Sequence, residues 1–154
     1  MSIVIDASVA VQWFVIEPQT RYARALRDDA LRREITLLAP TLLLYEITSV
    51  LRRKTFDGHL ALPDAQLALE SILDIVTLRP TTQTLALRAL EIATQINQKR
   101  AYDAQYIALA EAKGCDLWTT DEPLVKAARR AFPFVRWIGA FPLPTPPPPT
   151  AVDA

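Results

Sequence analysis

Ser2-Ile3-Val4-Ile5-Asp6 decides the fold. The run is short, continuously apolar and rich in β-branched residues, which suits a strand buried on both faces of a parallel sheet, and it ends in a carboxylate. Runs of the same kind recur at Thr36 to Ala39, Ile75 to Leu78, Leu117 to Thr120 and Val135 to Ile138. Between them lie longer stretches with helical periodicity: Gln19 to Arg33, Leu42 to Phe56, Pro63 to Asp74, Thr82 to Gln98, Tyr102 to Lys113 and Glu122 to Ala131. Strands alternating with helices predict an α/β sandwich with a mainly parallel sheet of five strands. The punctuation agrees: Pro40, Pro63, Pro80 and Pro123 stand near helix starts, and Gly58 and Gly114 just after helix ends.

A chain of 154 residues fits one domain, and 51% hydrophobic residues give it enough apolar surface for a core. The stretch Pro142-Leu143-Pro144-Thr145-Pro146-Pro147-Pro148-Pro149-Thr150 holds six of the twelve prolines, so residues 142–154 are expected to be an extended, disordered tail. No apolar run reaches the roughly 20 residues of a membrane span, and the N-terminus lacks the pattern of a secretory signal. Cys115 is alone, which excludes an internal disulfide framework. A cytoplasmic, reducing location with no membrane association is expected.

Composition also narrows the chemistry. Seventeen basic and seventeen acidic side chains cancel, so an anionic partner has to be met by a local patch. Gly58, Gly114 and Gly139 are too scattered for a glycine-rich phosphate loop. His59 is the sole histidine, which removes paired-histidine zinc sites, and it reads as a loop residue, not a ligand. Catalysis, if present, falls to carboxylates.

Most acidic residues suit solvated helix faces, turns or caps, but four do not. Asp6 ends a buried strand, where an unpaired charge is costly, although it could cap a helix starting near Ser8. Glu46 shares a helical face with Leu43 and Val50, and its plain alternative is to reach solvent or Arg53. Asp103 shares a face with Tyr106, Ile107 and Ala110, where a charge near the helix start could alternatively gain about 0.3 to 1 kcal/mol from the helix dipole. Asp121 follows a strand and precedes Glu122-Pro123, so capping alone could explain it.

The joint pattern says more. Asp6 and Asp121 end strands and Asp103 begins a helix, which are the positions that form the functional edge of an open α/β sheet. Two unit charges about 4 Å apart at an effective dielectric near 20 repel by roughly 4 kcal/mol, so a gathering of acids calls for protons or a divalent cation. An oxygen-rich set without histidine or paired cysteines favours Mg²⁺ or Mn²⁺, and phosphodiester hydrolysis is the matching reaction.

Val4-Ile5-Asp6-Ala7-Ser8-Val9, Tyr45-Glu46-Ile47-Thr48-Ser49-Val50-Leu51-Arg52-Arg53, Tyr102-Asp103-Ala104-Gln105-Tyr106-Ile107-Ala108-Leu109-Ala110 and Trp118-Thr119-Thr120-Asp121, in that order, resemble the PIN-domain family. Within it the chain looks most like VapC ribonuclease toxins of toxin-antitoxin pairs, over roughly Ile3 to Ile138. The resemblance implies a three-layer α/β/α sandwich, a nuclease domain over residues 1–141, and Asp6, Glu46, Asp103 and Asp121 as ligands of Mg²⁺ or Mn²⁺. Thr119 would hydrogen-bond an acid or a bound water, and Ser8 could act similarly. It further implies hydrolysis of RNA leaving a 5′-phosphate and a 3′-hydroxyl, a homodimer, and silencing by a small VapB-like antitoxin. Glu122-Pro123 follows Asp121 where relatives often carry arginine.

Arg52, Arg53, Lys54, Lys99, Arg100, Lys126, Arg129 and Arg130 are the RNA-contact candidates. A catalytically silent RNA- or protein-binding module of the same fold is the alternative. A phosphotransfer fold ranks lower, because Ser8 stands where a dehalogenase-like phosphatase needs a second aspartate. Broad apolar helix faces at Leu42 to Leu44 and at Leu85, Leu87 and Leu90 also point to a homodimer.

Overall fold

The computed structural model describes residues 1–146. Five strands, β1 (Ser2–Ile5), β2 (Thr36–Pro40), β3 (Val76–Arg79), β4 (Leu117–Thr119) and β5 (Val135–Trp137), form one sheet in the order β3-β2-β1-β4-β5. Every pairing is parallel, with Val4 opposite Leu38 on one side and Leu117 on the other. All five expected strands are present, within a residue or two of their predicted ends.

The helices are α1 (Ala7–Val11), α2 (Thr20–Arg32), α3 (Leu42–Phe56), α4 (Leu62–Ile75), α5 (Gln83–Gln95), α6 (Tyr102–Lys113) and α7 (Glu122–Ala128). The chain moves outward from β1 to β2 and β3, then crosses back to β4 on the far side of β1. Right-handed crossovers therefore put α1 to α4 on one face and α5 to α7 on the other, giving three layers. The reversal makes the cleft between the carboxyl ends of β1 and β4 the topological switch point, where open α/β sheets bind ligands.

Packing explains which elements hold that edge. Val4 and Ile5 are fully buried, as a central strand covered on both faces requires. Helix α6 buries Ala104 and the whole run Tyr106 to Ala110 because it lies against β1, β2 and β4 while α5 covers its outer side. Arg88 on α5 ties the two helices by an ion pair to Glu111 of α6 at 2.7 Å, and within α5 it also pairs with Glu91 at 2.8 Å. Gly114, at φ +60, ends α6 in the left-handed conformation that a side chain would resist, and so turns the chain into β4. Trp13 pins the short α1 against α2 by donating from Nε1 to the Ala23 carbonyl at 3.0 Å.

Two helices stop earlier than their periodicity predicts. Helix α5 ends at Gln95 and not Gln98, because Asn97 takes a left-handed φ of 56 and the Gln98 amide returns to the Ala93 carbonyl. Asparagine tolerates that conformation better than other side chains. The early stop frees Gln98 to Ala101 as a connection leading into α6. Helix α7 ends at Ala128, where the Phe132 amide closes back on the Ala128 carbonyl at 2.8 Å.

Phe141 packs edge-on against Trp118, with ring centroids 5.2 Å apart, and Pro142 to Pro146 are exposed. The rest of the expected tail, residues 147–154, lies outside the described residues. Among the described residues no helix is long and apolar enough to cross a membrane.

Candidate active site

Asp6 is the first residue beyond β1 and is 9% exposed. It caps α1: its Oδ1 accepts from the Ser8 hydroxyl at 2.6 Å and from the Val9 amide at 3.1 Å. Burial nevertheless pushes its carboxyl up to about 6, against the opposing pull of Ser8, Thr119 and the Val9 amide, and the nearby Asp103 charge adds to the rise.

Glu46 comes from the middle of α3 and is half-buried, and it does not pair with Arg53. Instead it accepts a hydrogen bond at Oε1 from the Tyr106 hydroxyl of α6 at 3.1 Å. Burial raises its carboxyl to about 7. The Tyr106 bond works against that rise, while the Asp6 and Asp103 charges reinforce it. Asp103, in the first turn of α6, is also raised, first by burial and then by Asp121.

Asp121 is exposed and caps α7, its Oδ1 accepting from the Leu124 amide at 2.9 Å. Thr119, fully buried at the end of β4, fixes the approach to it: its Oγ1 accepts from the Asp121 amide at 3.0 Å. Ser8 joins the two strand ends, because the hydroxyl that donates to Asp6 also accepts from the Thr120 amide at 3.2 Å. Capping is thus real for both aspartates, yet neither cap uses Oδ2.

The four acids therefore come from four separate segments, and the Asp103 charge bears on Asp6 and Glu46, the Asp6 charge on Glu46 and the Asp121 charge on Asp103. Among the described residues none of them has an ion-pair partner, whereas Asp29, Glu91, Glu111 and Asp116 on the surface all pair with arginines. The donor set is all oxygen and short of positive charge, which fits a hard divalent cation. Among the described residues no three such side chains already stand close enough to frame an ion.

A cleft of about 710 Å³ adjoins the acids, lined by Glu46 and Asp103 together with Tyr45, Tyr102, Lys99 and Arg100. Of the basic candidates, only Lys99 and Arg100 line it. Lys54 instead pairs with Glu17 at 3.0 Å, and Arg52 lies over the Phe56 ring. Arg53, Lys126, Arg129 and Arg130 are exposed elsewhere on α3 and around the end of α7. His59 is an exposed loop residue and Cys115 is half-buried.

Sequence reasoning placed Tyr106 on the inward face of α6 but missed its bond to Glu46. The signal was available, since a buried tyrosine needs a partner for its hydroxyl and Tyr106 is the only hydroxyl-bearing side chain on that face.

The PIN domain family profile matches residues 3–130. The chain belongs to the PIN-domain family, which sets aside the phosphotransfer folds. Among its relatives, the VapC ribonuclease Mb0985 of Mycobacterium bovis and the ribonuclease VapC9 of Mycobacterium tuberculosis are each 34% identical over 119 residues, spanning 77% of this chain and 85% of the relative. Among solved structures, PAE2754 from Pyrobaculum aerophilum aligns with a TM-score of 0.62 at 22% identity, over 82% of this chain and 87% of its own. VapBC2 from Rickettsia felis, bound to a DNA fragment from their promoter, aligns with a TM-score of 0.64 at 16% identity, over 89% and 97%. Both agree with the parallel three-layer fold.

Proposed function

We propose that this chain is a metal-dependent endoribonuclease and the toxin of a VapBC-type toxin-antitoxin pair. The observation that carries the reading is the set of Asp6, Glu46, Asp103 and Asp121, four carboxylates without a counter-cation at the switch point of a PIN fold. The VapC ribonuclease names of the relatives at 34% identity support the RNA substrate.

In this reading the four acids hold Mg²⁺ or Mn²⁺. The ion supplies a lower pKa for a bound water and neutralises charge on the phosphoryl oxygens. The protein's own part is placement. Ser8 and the Val9 amide hold Asp6, Tyr106 holds Glu46, and Thr119 sets the backbone that carries Asp121. Water adds to phosphorus, the bond to O3′ breaks, and the departing oxygen takes a proton. The products are a 5′-phosphate and a 3′-hydroxyl.

The partner assignments belong to the same reading. A VapB-like antitoxin is favoured by the likeness to the VapBC2 complex. A homodimer is favoured by Leu87 and Leu90, which are 56% and 62% exposed on α5. Residues 1–141 form the nuclease domain in the cytoplasm, and the proline-rich residues 142–154 follow it as a tail.

The test is cleavage of total bacterial RNA by purified protein with Mg²⁺, Mn²⁺ or EDTA, followed by end analysis. Cutting that needs the divalent ion, leaves 5′-phosphates and disappears in Asp6→Asn and Asp103→Asn is expected. Metal binding without cutting of any RNA would favour the silent binding module, and cutting that survives both substitutions would overturn the site.

A further inference from the structure

The cleft beside the acids carries two features that metal binding does not use. Tyr45 is 72% exposed and Tyr102 is 59% exposed, and each directly precedes an acid, Glu46 or Asp103. Exposed aromatic residues scattered singly need no explanation, but these two line one cleft. Lys99 and Arg100 line it too, and among the described residues neither makes an ion pair.

Resting on the nuclease reading, we propose that Tyr45 and Tyr102 are stacking platforms for the bases flanking the cut phosphate, with Lys99 and Arg100 gripping the backbone between them. A strand brought to four carboxylates meets repulsion at each phosphate, so affinity has to come from neighbouring groups. The cleft offers the two kinds that a nucleic-acid strand can use, flat aromatic faces and cations. Its position follows from the fold. Tyr45 rides on α3, while the left-handed turn at Asn97 frees Lys99 and Arg100 just ahead of Tyr102 at the start of α6. Stacking is tolerant of sequence and stronger for purines, so these residues set affinity and base preference without base-edge hydrogen bonds.

The experiment measures fluorescence anisotropy of labelled oligoadenylate and oligouridylate in EDTA, where nothing is cut. Wild type is compared with Tyr45→Ala, Tyr102→Ala, the matching phenylalanine variants and a Lys99→Ala/Arg100→Ala double variant. Alanine at either tyrosine is expected to weaken oligoadenylate binding roughly 5- to 150-fold and narrow the preference over oligouridylate, with phenylalanine restoring both. The double variant should lower the slope of log affinity against log salt by about 0.7 per lost phosphate contact. Oligoadenylate affinity unchanged in both alanine variants, in protein that still cuts RNA, overturns the platform and leaves the nuclease standing. A changed oligomeric state with RNA affinity intact also overturns it, because the tyrosines would then serve a second copy of the chain. Wild type that neither binds nor cuts RNA removes the nuclease reading itself, and this proposal with it.

Discussion

The Tyr106 hydroxyl donates to Glu46 Oε1 at 3.1 Å, joining α6 to α3 across 60 positions of sequence. Glu46 is otherwise a half-buried carboxylate without a cation, so this bond is what fixes its rotamer and favours its charged form. A Tyr106→Phe variant keeps the ring in the core and removes only the donor. Cleavage should fall roughly 10- to 100-fold, as when a residue supporting a metal ligand is lost. Stability should change by no more than about 1.5 kcal/mol. Initial rates and thermal melts of the same samples check both.

Asp121 serves as both helix cap and member of the acidic group, and the two roles separate by substitution. Asp121→Asn keeps an oxygen for the Leu124 amide and removes the charge. Melting temperature should hold while RNA cleavage is lost. A variant that melts earlier yet cuts normally would make Asp121 a cap alone.

The raised carboxyls of Asp6 and Glu46 set the pH response of the ion-free protein. Between pH 4 and the folded values of about 6 and about 7, the native state binds more protons than the unfolded chain, so stability falls as pH rises through that window. For the buried Asp6 alone the loss is about 3 kcal/mol. Melting curves in EDTA should therefore decline from pH 4.5 to 7.5, and Asp6→Asn should flatten the decline. Added Mn²⁺ competes with the protons, so it should raise the melting temperature more at pH 8 than at pH 5.

Leu87 and Leu90 are more than half exposed on α5. Light scattering at micromolar concentration should give a dimer, and a Leu87→Lys/Leu90→Lys variant should give a folded monomer. A wild-type monomer would contradict the assignment.

The strands were legible because a central parallel strand must be apolar on both faces, which leaves runs such as Val4-Ile5 and Leu37-Leu38-Ala39 unbroken by polar residues. Asp6 and Asp103 were legible for the converse reason, as charges set where burial is expensive. The cleft was not legible. Helical periodicity carries α5 on to Gln98, and only the left-handed Asn97 shows that the connection opens early enough to bring Lys99 and Arg100 beside Glu46. Nor could spacing tell caps from site acids at Asp6 and Asp121, since each caps a helix through Oδ1 and leaves Oδ2 out of the cap.

Mn²⁺ titration by calorimetry, on wild type and on single Asp6→Asn, Glu46→Gln, Asp103→Asn and Asp121→Asn variants at pH 8, tests most directly whether the four acids make one cation pocket. The account predicts saturable binding that every one of the four substitutions weakens. Wild-type affinity retained in the Asp6 and Asp103 variants would contradict it.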